Sequence, residues 1–171
     1  MIDIQTYDSH YLHDQRLDDQ IIEFDKKNMG PILAARNMPF LETKRRKGLE
    51  GSATFHIAFD EEHRIVGYLQ YGPHWNEKDA IYISSVQVAP CLRNTSLFIR
   101  LVVTAFEDLA GRSFSRLVSN VQKHNKIAIG IYRKLGFTID ELNASETSFP
   151  VHADPSILKN ERLRKLNKAN S

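Results

Sequence analysis

The sequence predicts an α/β fold, in which helices pack on a sheet. Two strand–helix units in series support this prediction: a strand at residues 81–89 precedes a helix at 95–110, and a strand at 115–122 precedes a helix at 125–135. Apolar residues alternate with polar ones in the strands and recur at helical spacing in the helices. Serial units of this kind are typical of layered α/β proteins. The 171 residues suit one domain.

The strand at 81–89 contains a change of phase. Ile81 and Ile83 occupy odd positions, whereas Val86 and Val88 occupy even ones. A strand that keeps its direction while its side chains change faces needs a bulge, which we expect at residues 84–85. Pro90 then ends the strand because it has no N–H to donate.

The starts and ends of the two helices carry local signals. The first helix follows Arg93 and two hydroxyl residues, Thr95 and Ser96, which are N-cap candidates. Free N–H groups beside an arginine predict an anion site at this helix start. The second helix has an apolar stripe, and Gly136 closes it in a left-handed cap. The stripe consists of Ile127, Ala128, Ile131, Tyr132 and Leu135.

The rest of the chain predicts elements compatible with the same sheet. The expected strands are residues 1–7, 53–59, 65–71, 138–142 and 147–151, with a turn at 60–64. The expected helices are residues 12–27, a second one with Pro31 in its first turn that continues towards Met38, and a basic amphipathic tail at about 155–171. One domain spanning 1–171 is expected, and its tail is expected to dock on the domain or on a second copy, so a homodimer is possible.

Two exposed features allow alternative interpretations. Residues 44–47 form a basic cluster, for which a solvated helix end is favoured over a site for an acidic or phosphate-bearing ligand. The loop at 74–79 contains the only tryptophan, Trp75, which either lines a substrate pocket or covers an edge of the core.

Composition excludes several classes of function. A net charge of +2 favours neither a nucleic-acid partner nor an acidic tail, and no apolar run is long enough to span a bilayer. Cys91 is the only cysteine, so an internal disulfide is impossible. The N-terminus lacks a basic and apolar leader, and a cytoplasmic location is therefore expected. We predict no metal site, no membrane partner and no nucleic-acid partner.

Two motifs carry a resemblance to a known family. The pattern Val86-x-Val88-x-Pro90-x-x-Arg93, followed by Asn125-x-x-Ala128-x-x-x-Tyr132-x-Lys134-Leu135-Gly136-Phe137, resembles the GCN5-related N-acetyltransferase (GNAT) superfamily. The resemblance covers about the third quarter of the chain. It implies a mixed, mostly antiparallel central sheet with a bulged, splayed central strand and helices on both faces. It also implies transfer of an acetyl group from acetyl-CoA to a primary amine of a small molecule or protein, by direct attack.

The same resemblance assigns roles to residues. Backbone groups of Val86 and Val88 would pair with the pantetheine arm of acetyl-CoA, and Tyr132 would give a proton to the departing thiolate. The pyrophosphate would lie near Arg93, on the N–H groups of Asn94, Thr95, Ser96, Leu97 and Phe98. Asn125 would hydrogen-bond the cofactor. The structural alternatives are an N-cap for Asn125 and a core tyrosine for Tyr132.

Two departures from the family pattern support an alternative function. The family's phosphate turn has Gly, and then Gly or Ala, where this chain has Ser96 and Phe98. The central strand carries no acidic residue, and no base is assigned; Asp79, His56, His74 and Tyr82 are conceivable candidates. The alternative is a degenerate GNAT-fold protein that binds CoA weakly or acts as a protein-binding module.

Overall fold

The computed structural model describes residues 2–14, 16–93 and 95–159. The strands within this part of the chain are β1 (Asp3–Asp8), β2 (Thr54–Phe59), β3 (Ile65–Pro73), β4 (Ala80–Val88), β5 (Arg116–Gln122), β6 (Thr138–Ile139) and β7 (Ser148–Ala153). The helices are α1 (Ser9–Asp14), α2 (Leu17–Ala34), α3 (Glu42–Lys47), α4 (Leu97–Leu109) and α5 (Lys126–Leu135). Short 3₁₀ turns occur at Pro90–Leu92 and Pro155–Lys159.

The described strands form one seven-stranded sheet in the order β1-β2-β3-β4-β5-β7-β6. The pairs β1/β2, β5/β7 and β6/β7 are antiparallel, whereas β4 and β5 are parallel. The parallel register pairs Ala80 with Arg116 and continues to Ile83 with Ser119. A mixed, mostly antiparallel sheet with helices confirms the predicted fold class, while the bulge at residues 84–85 stays a prediction.

The chain divides into two compact units. The first unit contains residues 1–70 and 85–101, and the second contains residues 71–84 and 102–171. The boundaries fall inside β3, β4 and α4, so each of these elements contributes to both units. The expectation of a single domain stays a prediction.

The first unit buries an apolar core between its helices and strands. Phe55 and Ile57 on β2 are fully buried, as are Leu12 on α1 and Ile21 on α2. Tyr68 on β3 packs edge-on against Phe24 of α2, with ring centroids 6.0 Å apart. These contacts hold α2 on the sheet, because aromatic and aliphatic side chains supply most of the burial energy.

The prediction of two helices, one at residues 12–27 and one beginning at Pro31, was wrong at Pro31. The structure has a short α1, a break at Arg16 with φ of 54°, and then α2, which continues through Pro31 to Ala34. Gly30 precedes the proline and has no Cβ to clash with the ring, and few residues follow before the helix ends. The N–H of Ala35 still donates to the Pro31 carbonyl at 3.1 Å. The helix therefore loses little by including the proline.

Gly67 on β3 allows the close approach of its neighbours in the first unit. A Cβ at this position would lie 3.0 Å from the Gln87 carbonyl oxygen and 3.4 Å from side-chain carbons of Leu97 and Leu101. The start of α4 is thereby held against β3. The absence of a side chain here is a packing requirement rather than a need for a special backbone angle.

We predict that Gly67→Val destabilises the protein by about 1 to 3 kcal/mol, because the added atoms overpack a filled space. The measurement is urea unfolding followed by circular dichroism. Gly130→Ala is the matched control: it lies within α5 with open space at the Cβ position, so it should gain about 0.5 to 1 kcal/mol. Equal stabilities of Gly67→Val and the natural protein would contradict the packing argument.

In the second unit, α5 has the predicted ends. The Asn125 side chain accepts from the Ala128 N–H, and Gly136 is left-handed at φ of 96°. The predicted apolar stripe was wrong at Ile127, which is 79% exposed, whereas Ile129 and Leu135 are buried. Ile129 is two residues, or about 200°, around the helix from Ile127, and so faces the opposite side.

In the C-terminal part of the second unit, one predicted strand is shorter than expected and the predicted helix does not begin at residue 155. The antiparallel pair is confirmed, although β6 contains only Thr138–Ile139. Residues 155–159 form a 3₁₀ turn rather than the start of an α-helix, and the rest of the predicted tail helix lies outside the described residues. No helix in the described ranges combines the length and hydropathy that crossing a bilayer requires.

Candidate active site

Tyr132 on α5 belongs to a chain of hydrogen bonds within the second unit. Its Oη lies 2.9 Å from Oγ of Ser119 on β5, and the Ser119 hydroxyl donates to the Ile83 carbonyl on β4 at 2.8 Å. A carbonyl cannot donate, so the single hydroxyl hydrogen of Ser119 is committed to Ile83. Tyr132 must therefore donate to Ser119. The Tyr132 ring also meets Phe137 edge-on at 5.0 Å.

The surroundings of Tyr132 raise its pKa. Burial is the largest cause, the hydrogen bond with Ser119 acts in the opposite direction, and the nearby Tyr82 phenol adds to the rise. A phenol with a pKa above 10 carries its proton throughout the neutral range. Should Tyr132 release that proton, the Ser119 hydroxyl could turn from Ile83 and donate to the phenolate.

Ser119 was missed by the sequence prediction. Its signal is a single polar residue on the buried side of an alternating strand, between Leu117 and Val121. Ser119 is only 3% exposed. A buried hydroxyl needs a partner, and the β4/β5 register that supplies Ile83 could not be read from the local sequence.

Asn125 serves as the N-cap of α5, as the structural alternative predicted. Its Oδ1 accepts from the Ala128 N–H at 3.0 Å. That bond occupies the amide oxygen, and among the described residues the exposed Nδ2 group has no acceptor. The predicted contact with the cofactor stays a prediction, and Nδ2 is the group that could make it.

The predicted pantetheine and pyrophosphate residues lie in the first unit. Val86 is half-buried and Val88 is buried at the end of β4. Arg93 is exposed, and its Nε donates to the Val88 carbonyl at 3.4 Å. This long bond leaves most of the guanidinium donors for another acceptor. Asn94 lies outside the described residues.

A threonine caps the start of α4. The Thr95 hydroxyl donates to the Leu92 carbonyl at 2.7 Å and accepts from the Leu97 N–H at 3.3 Å. Ser96 is half-buried, and its carbonyl accepts from the backbone N–H of Arg100 at 3.0 Å. The N–H groups of a helix's first turn have no partner within the helix, and they favour an anion. The Thr95 N–H, however, donates to the Leu92 carbonyl at 3.0 Å, so Thr95 and Leu97 already use two of the N–H groups predicted for the pyrophosphate. The anion site stays a prediction.

Phe98 lies in the first turn of α4, at the predicted anion site. Leu97 is 1% exposed and Leu101 is fully buried, whereas Phe98 is only half-buried. The predicted apolar face of α4 thus begins with Leu97, and the Phe98 ring lies at its margin. A bulky side chain in the first turn limits how closely a phosphate approaches the backbone.

Two candidates for the base have contrasting positions. His56 is fully buried in β2, where its Nδ1 pairs with the Thr6 hydroxyl at 2.9 Å. Asp79 is exposed, has φ of 61°, and offers its carbonyl to the Ser115 N–H at 2.6 Å. Neither position identifies a base. Within the described ranges, no three His, Cys, Asp or Glu side chains are grouped so that they could hold a metal ion.

The other two candidates form an aromatic cluster with Trp75 in the second unit. His74 stacks on Trp75 with ring centroids 4.1 Å apart, and Tyr82 meets Trp75 edge-on at 4.9 Å. Asn120 Nδ2 donates to the Tyr82 hydroxyl at 3.2 Å. Trp75 is 72% exposed, which argues against a cover over the core. It lines an open cavity of about 570 Å³ formed by residues 73–81, 113 and 114.

The basic cluster contains a buried ionic network in the first unit. Arg45 Nε donates to Asp25 Oδ2 at 2.5 Å, and its other nitrogens donate to Tyr68 Oη at 2.9 Å and Gln70 Oε1 at 3.1 Å. Tyr68 donates to Asp25 Oδ1 at 2.7 Å and lies 3.3 Å from the Ser85 hydroxyl. Burial, reinforced by the Asp25 charge, raises the pKa of Tyr68 well above its usual range.

Arg46 is engaged as well. It donates to Asp19 at 2.9 Å, to Glu42 at 3.3 Å and to Asp18 at 3.4 Å. The interpretation of residues 44–47 as a solvated helix end was therefore wrong for Arg45, which pairs with the buried Asp25. Arg46 forms ion pairs while its side chain stays 37% exposed. Lys44 and Lys47 are exposed, as that interpretation expected.

Comparison with known proteins identifies a family. The model of the acetyltransferase (GNAT) family matches residues 18–137, and no curated protein matches the chain significantly. The match includes both motifs, from Val86 to Arg93 and from Asn125 to Phe137.

Solved structures share the fold at low sequence identity. A GNAT-family acetyltransferase from Staphylococcus aureus Mu50 has a TM-score of 0.70 at 14% identity, covering 91% of this chain and 99% of that one. The ribosomal-protein-S18-alanine N-acetyltransferase from Escherichia coli has a TM-score of 0.67 at 14% identity, covering 90% and 94%. The PaiA N-acetyltransferase from Thermoplasma acidophilum, solved in complex with coenzyme A, has a TM-score of 0.63 at 13% sequence identity. The match covers 90% of this chain and 99% of that one.

Proposed function

Because this chain belongs to the acetyltransferase (GNAT) family, we propose that it is an acetyl-CoA-dependent N-acetyltransferase whose acceptor is a primary amine of a small molecule or protein. The observation that carries the proposal is the hydrogen-bonded chain from Tyr132 through Ser119 to Ile83, built on the family motif. It gives a protonated phenol a fixed position and a partner that can stabilise its conjugate base.

The reaction requires a balanced exchange of bonds and protons. The neutral amine attacks the thioester carbonyl, a C–N bond forms, the C–S bond breaks, and the sulfur leaves as a thiolate. The Tyr132 hydroxyl turns from Ser119 and donates its proton to that thiolate, and the nitrogen releases a proton to solvent water to give the neutral amide. Positioning of the two reactants supplies much of the rate in such a transfer.

The proposed contacts with the donor follow the two family motifs. In the first unit, backbone groups of Val86 and Val88 pair with the pantetheine, and Arg93 with the start of α4 receives the pyrophosphate. In the second unit, Asn125 Nδ2 donates to the cofactor while its oxygen caps α5. A thiol has a pKa near 8.5 and an ordinary phenol near 10, a difference of about 2 kcal/mol against proton transfer. Because the pKa of Tyr132 is raised further, full transfer costs more than this, and a hydrogen bond to the thiolate already helps.

A second function is supported by the filled phosphate turn. Ser96 and Phe98 stand where the family has small residues, and Phe98 is half-buried at the helix start. A degenerate relative that binds CoA weakly, or that acts through protein contacts, would carry such substitutions. The two functions differ in their affinity for acetyl-CoA.

Calorimetric titration with acetyl-CoA, of the natural protein and of Phe98→Gly, separates them. We expect the natural protein to bind and the variant to bind more tightly, because bare backbone lets the phosphate approach. Melting temperatures without ligand show whether the variant remains folded. Binding by the variant alone would favour the degenerate relative, and binding by neither folded protein would contradict the acetyltransferase proposal.

A further inference from the structure

An open cavity of about 570 Å³ lies in the second unit, where the connection from β3 to β4 meets the loop that follows α4. Residues 73–81, Ser113 and Phe114 line it, and we call it the Trp75 cavity. Small-molecule sites have volumes of about 300 to 1,000 Å³, far more than one water or inorganic ion fills. The size of the Trp75 cavity therefore suits a small organic molecule. The residues proposed to bind acetyl-CoA are not among those that line it.

Trp75 gives this cavity an open aromatic surface. The residue is 72% exposed, although His74 stacks on its ring at 4.1 Å and Tyr82 meets the ring edge-on at 4.9 Å. These two contacts hold the indole in place, and the exposed part of the indole lies outside them. The half-buried Phe114 adds a further ring to the lining. Because the face of an aromatic ring is negative, it attracts a cation and disfavours an anion.

One carboxylate of the lining is available to balance such a cation. Within residues 2–14, 16–93 and 95–159, the exposed Asp79 carboxylate has no hydrogen bond or ion pair, whereas the backbone carbonyl of Asp79 accepts from Ser115. The other acid of the lining, Glu77, pairs with Arg116 through both oxygens and is thereby neutralised. Lys78 is the only lysine or arginine of the lining. It is exposed, so solvent screens its charge.

We propose that the Trp75 cavity binds a small organic molecule through a substituted ammonium group, which lies on the open part of the indole and is balanced by the Asp79 carboxylate. Alkyl groups on the nitrogen spread its charge and weaken its hydration. Such a cation therefore loses less on reaching an aromatic surface than a metal ion would. The rest of the molecule occupies the cavity beside Phe114. Binding of this kind goes beyond the proposed function, since it requires neither acetyl-CoA nor Tyr132.

Choline is the probe for this site, because its quaternary ammonium cannot accept an acetyl group on nitrogen. Trp75 is the only tryptophan of the chain, so intrinsic fluorescence reports on the cavity directly. We expect choline to change the emission saturably. The neutral isostere 3,3-dimethyl-1-butanol keeps the shape without the charge and should bind about fivefold to tenfold more weakly. The anion 3,3-dimethylbutyrate should bind more weakly still. These titrations contain no acetyl-CoA, so their result is independent of the proposed function.

Two variants test whether choline binds at these side chains. Asp79→Asn removes the charge at a residue with φ of 61°, a conformation that asparagine tolerates, and the Kd for choline should rise about threefold to tenfold. Glu146→Gln is the matched control, an exposed carboxylate of the second unit outside the lining, and it should change the Kd by less than about twofold.

Trp75→Leu keeps an apolar side chain but removes the aromatic face and the fluorophore. Calorimetry replaces fluorescence for this variant, and the Kd for choline should rise about tenfold. Because Trp75 and Asp79 are exposed, both variants should remain folded, which their melting temperatures check. Lys78→Gln removes the opposing charge of the lining, so it should lower the Kd for choline or leave it unchanged.

Several results would overturn the assignment of an ammonium site. Equal binding of choline and its neutral isostere would assign the cavity to apolar ligands. Tighter binding of 3,3-dimethylbutyrate that is lost in Lys78→Gln would assign an anion to Lys78. An unchanged Kd in folded Asp79→Asn and Trp75→Leu would place choline elsewhere on the protein. The absence of a saturable response to both choline and phenyltrimethylammonium would also contradict the site, and binding of a trimethyllysine peptide alone would assign the cavity to a polypeptide.

Discussion

Replacing Tyr132 with Phe is expected to lower kcat by about 10² to 10⁴ while leaving the KM for acetyl-CoA nearly unchanged. The variant keeps the ring that meets Phe137 edge-on, so packing on α5 is preserved and only the hydroxyl is lost. The measurement is steady-state kinetics with an acceptor found in an amine screen. The matched control is Tyr11→Phe, which removes a hydroxyl from a residue that is 55% exposed in the first unit and should leave kcat unchanged.

The pH dependence of kcat adds a second readout. Because the pKa of Tyr132 is raised above 10, the phenol keeps its proton at lower pH. Loss of that proton therefore cannot reduce kcat until the pH exceeds about 10.

Ser119→Ala removes the hydrogen bond that lowers the pKa of Tyr132. We expect kcat of this variant to fall about tenfold, and any decline of kcat at alkaline pH to begin at a higher pH than in the natural protein. A Tyr132→Phe enzyme with full kcat would remove Tyr132 from the role of acid.

The local parts of this site could be predicted from the sequence. Asn125, Tyr132 and Gly136 lie within twelve residues of one another, and helix spacing fixes where they face once the helix begins. The structure confirms the cap at each end of α5. The partner of Tyr132 could not be predicted in the same way, because Ser119 reaches it only through packing between a strand and a helix.

Long-range partners also account for the errors in the first unit. Sequence reasoning ended the first helix at residue 27 and began a second one at Pro31, whereas α2 continues through the proline to Ala34. Arg45 lay in a cluster that resembled a solvated helix end, and its partners are 20 and 25 residues away at Asp25 and Gln70. Composition can signal that charges are present, but only the fold determines which of them are paired.

Tyr68 shows how the buried network depends on pH. Burial and the Asp25 charge raise its pKa, so the folded protein retains this proton at a pH where the unfolded chain, with a phenol pKa near 10, has released it. Above pH 10 the unfolded state therefore binds fewer protons, and stability falls as the pH rises. Below pH 10 both states are protonated and Tyr68 adds no slope.

Asp25→Ala is expected to destabilise the protein by about 3 kcal/mol or more, a large share of the roughly 5 to 15 kcal/mol that keeps a domain folded. Asp25 is 2% exposed, and its two oxygens accept from Arg45 and Tyr68. Alanine would leave a guanidinium only 20% exposed and a buried phenol, both without this acceptor. Urea unfolding followed by circular dichroism measures the loss.

The neighbouring acid Asp19 provides the control for this expectation. It lies on the same helix and pairs with Arg46, but it is 64% exposed at its side chain, so Asp19→Ala should change stability by less than about 1 kcal/mol. A double replacement, Asp25→Leu with Arg45→Leu, should recover much of the loss, because removing both charges leaves neither one unpaired in the core. If Asp25→Ala were no more destabilising than Asp19→Ala, the network would contribute no more than a surface ion pair. The position of α3 against β3, which Arg45 joins through Tyr68 and Gln70, would then have to come from apolar packing alone.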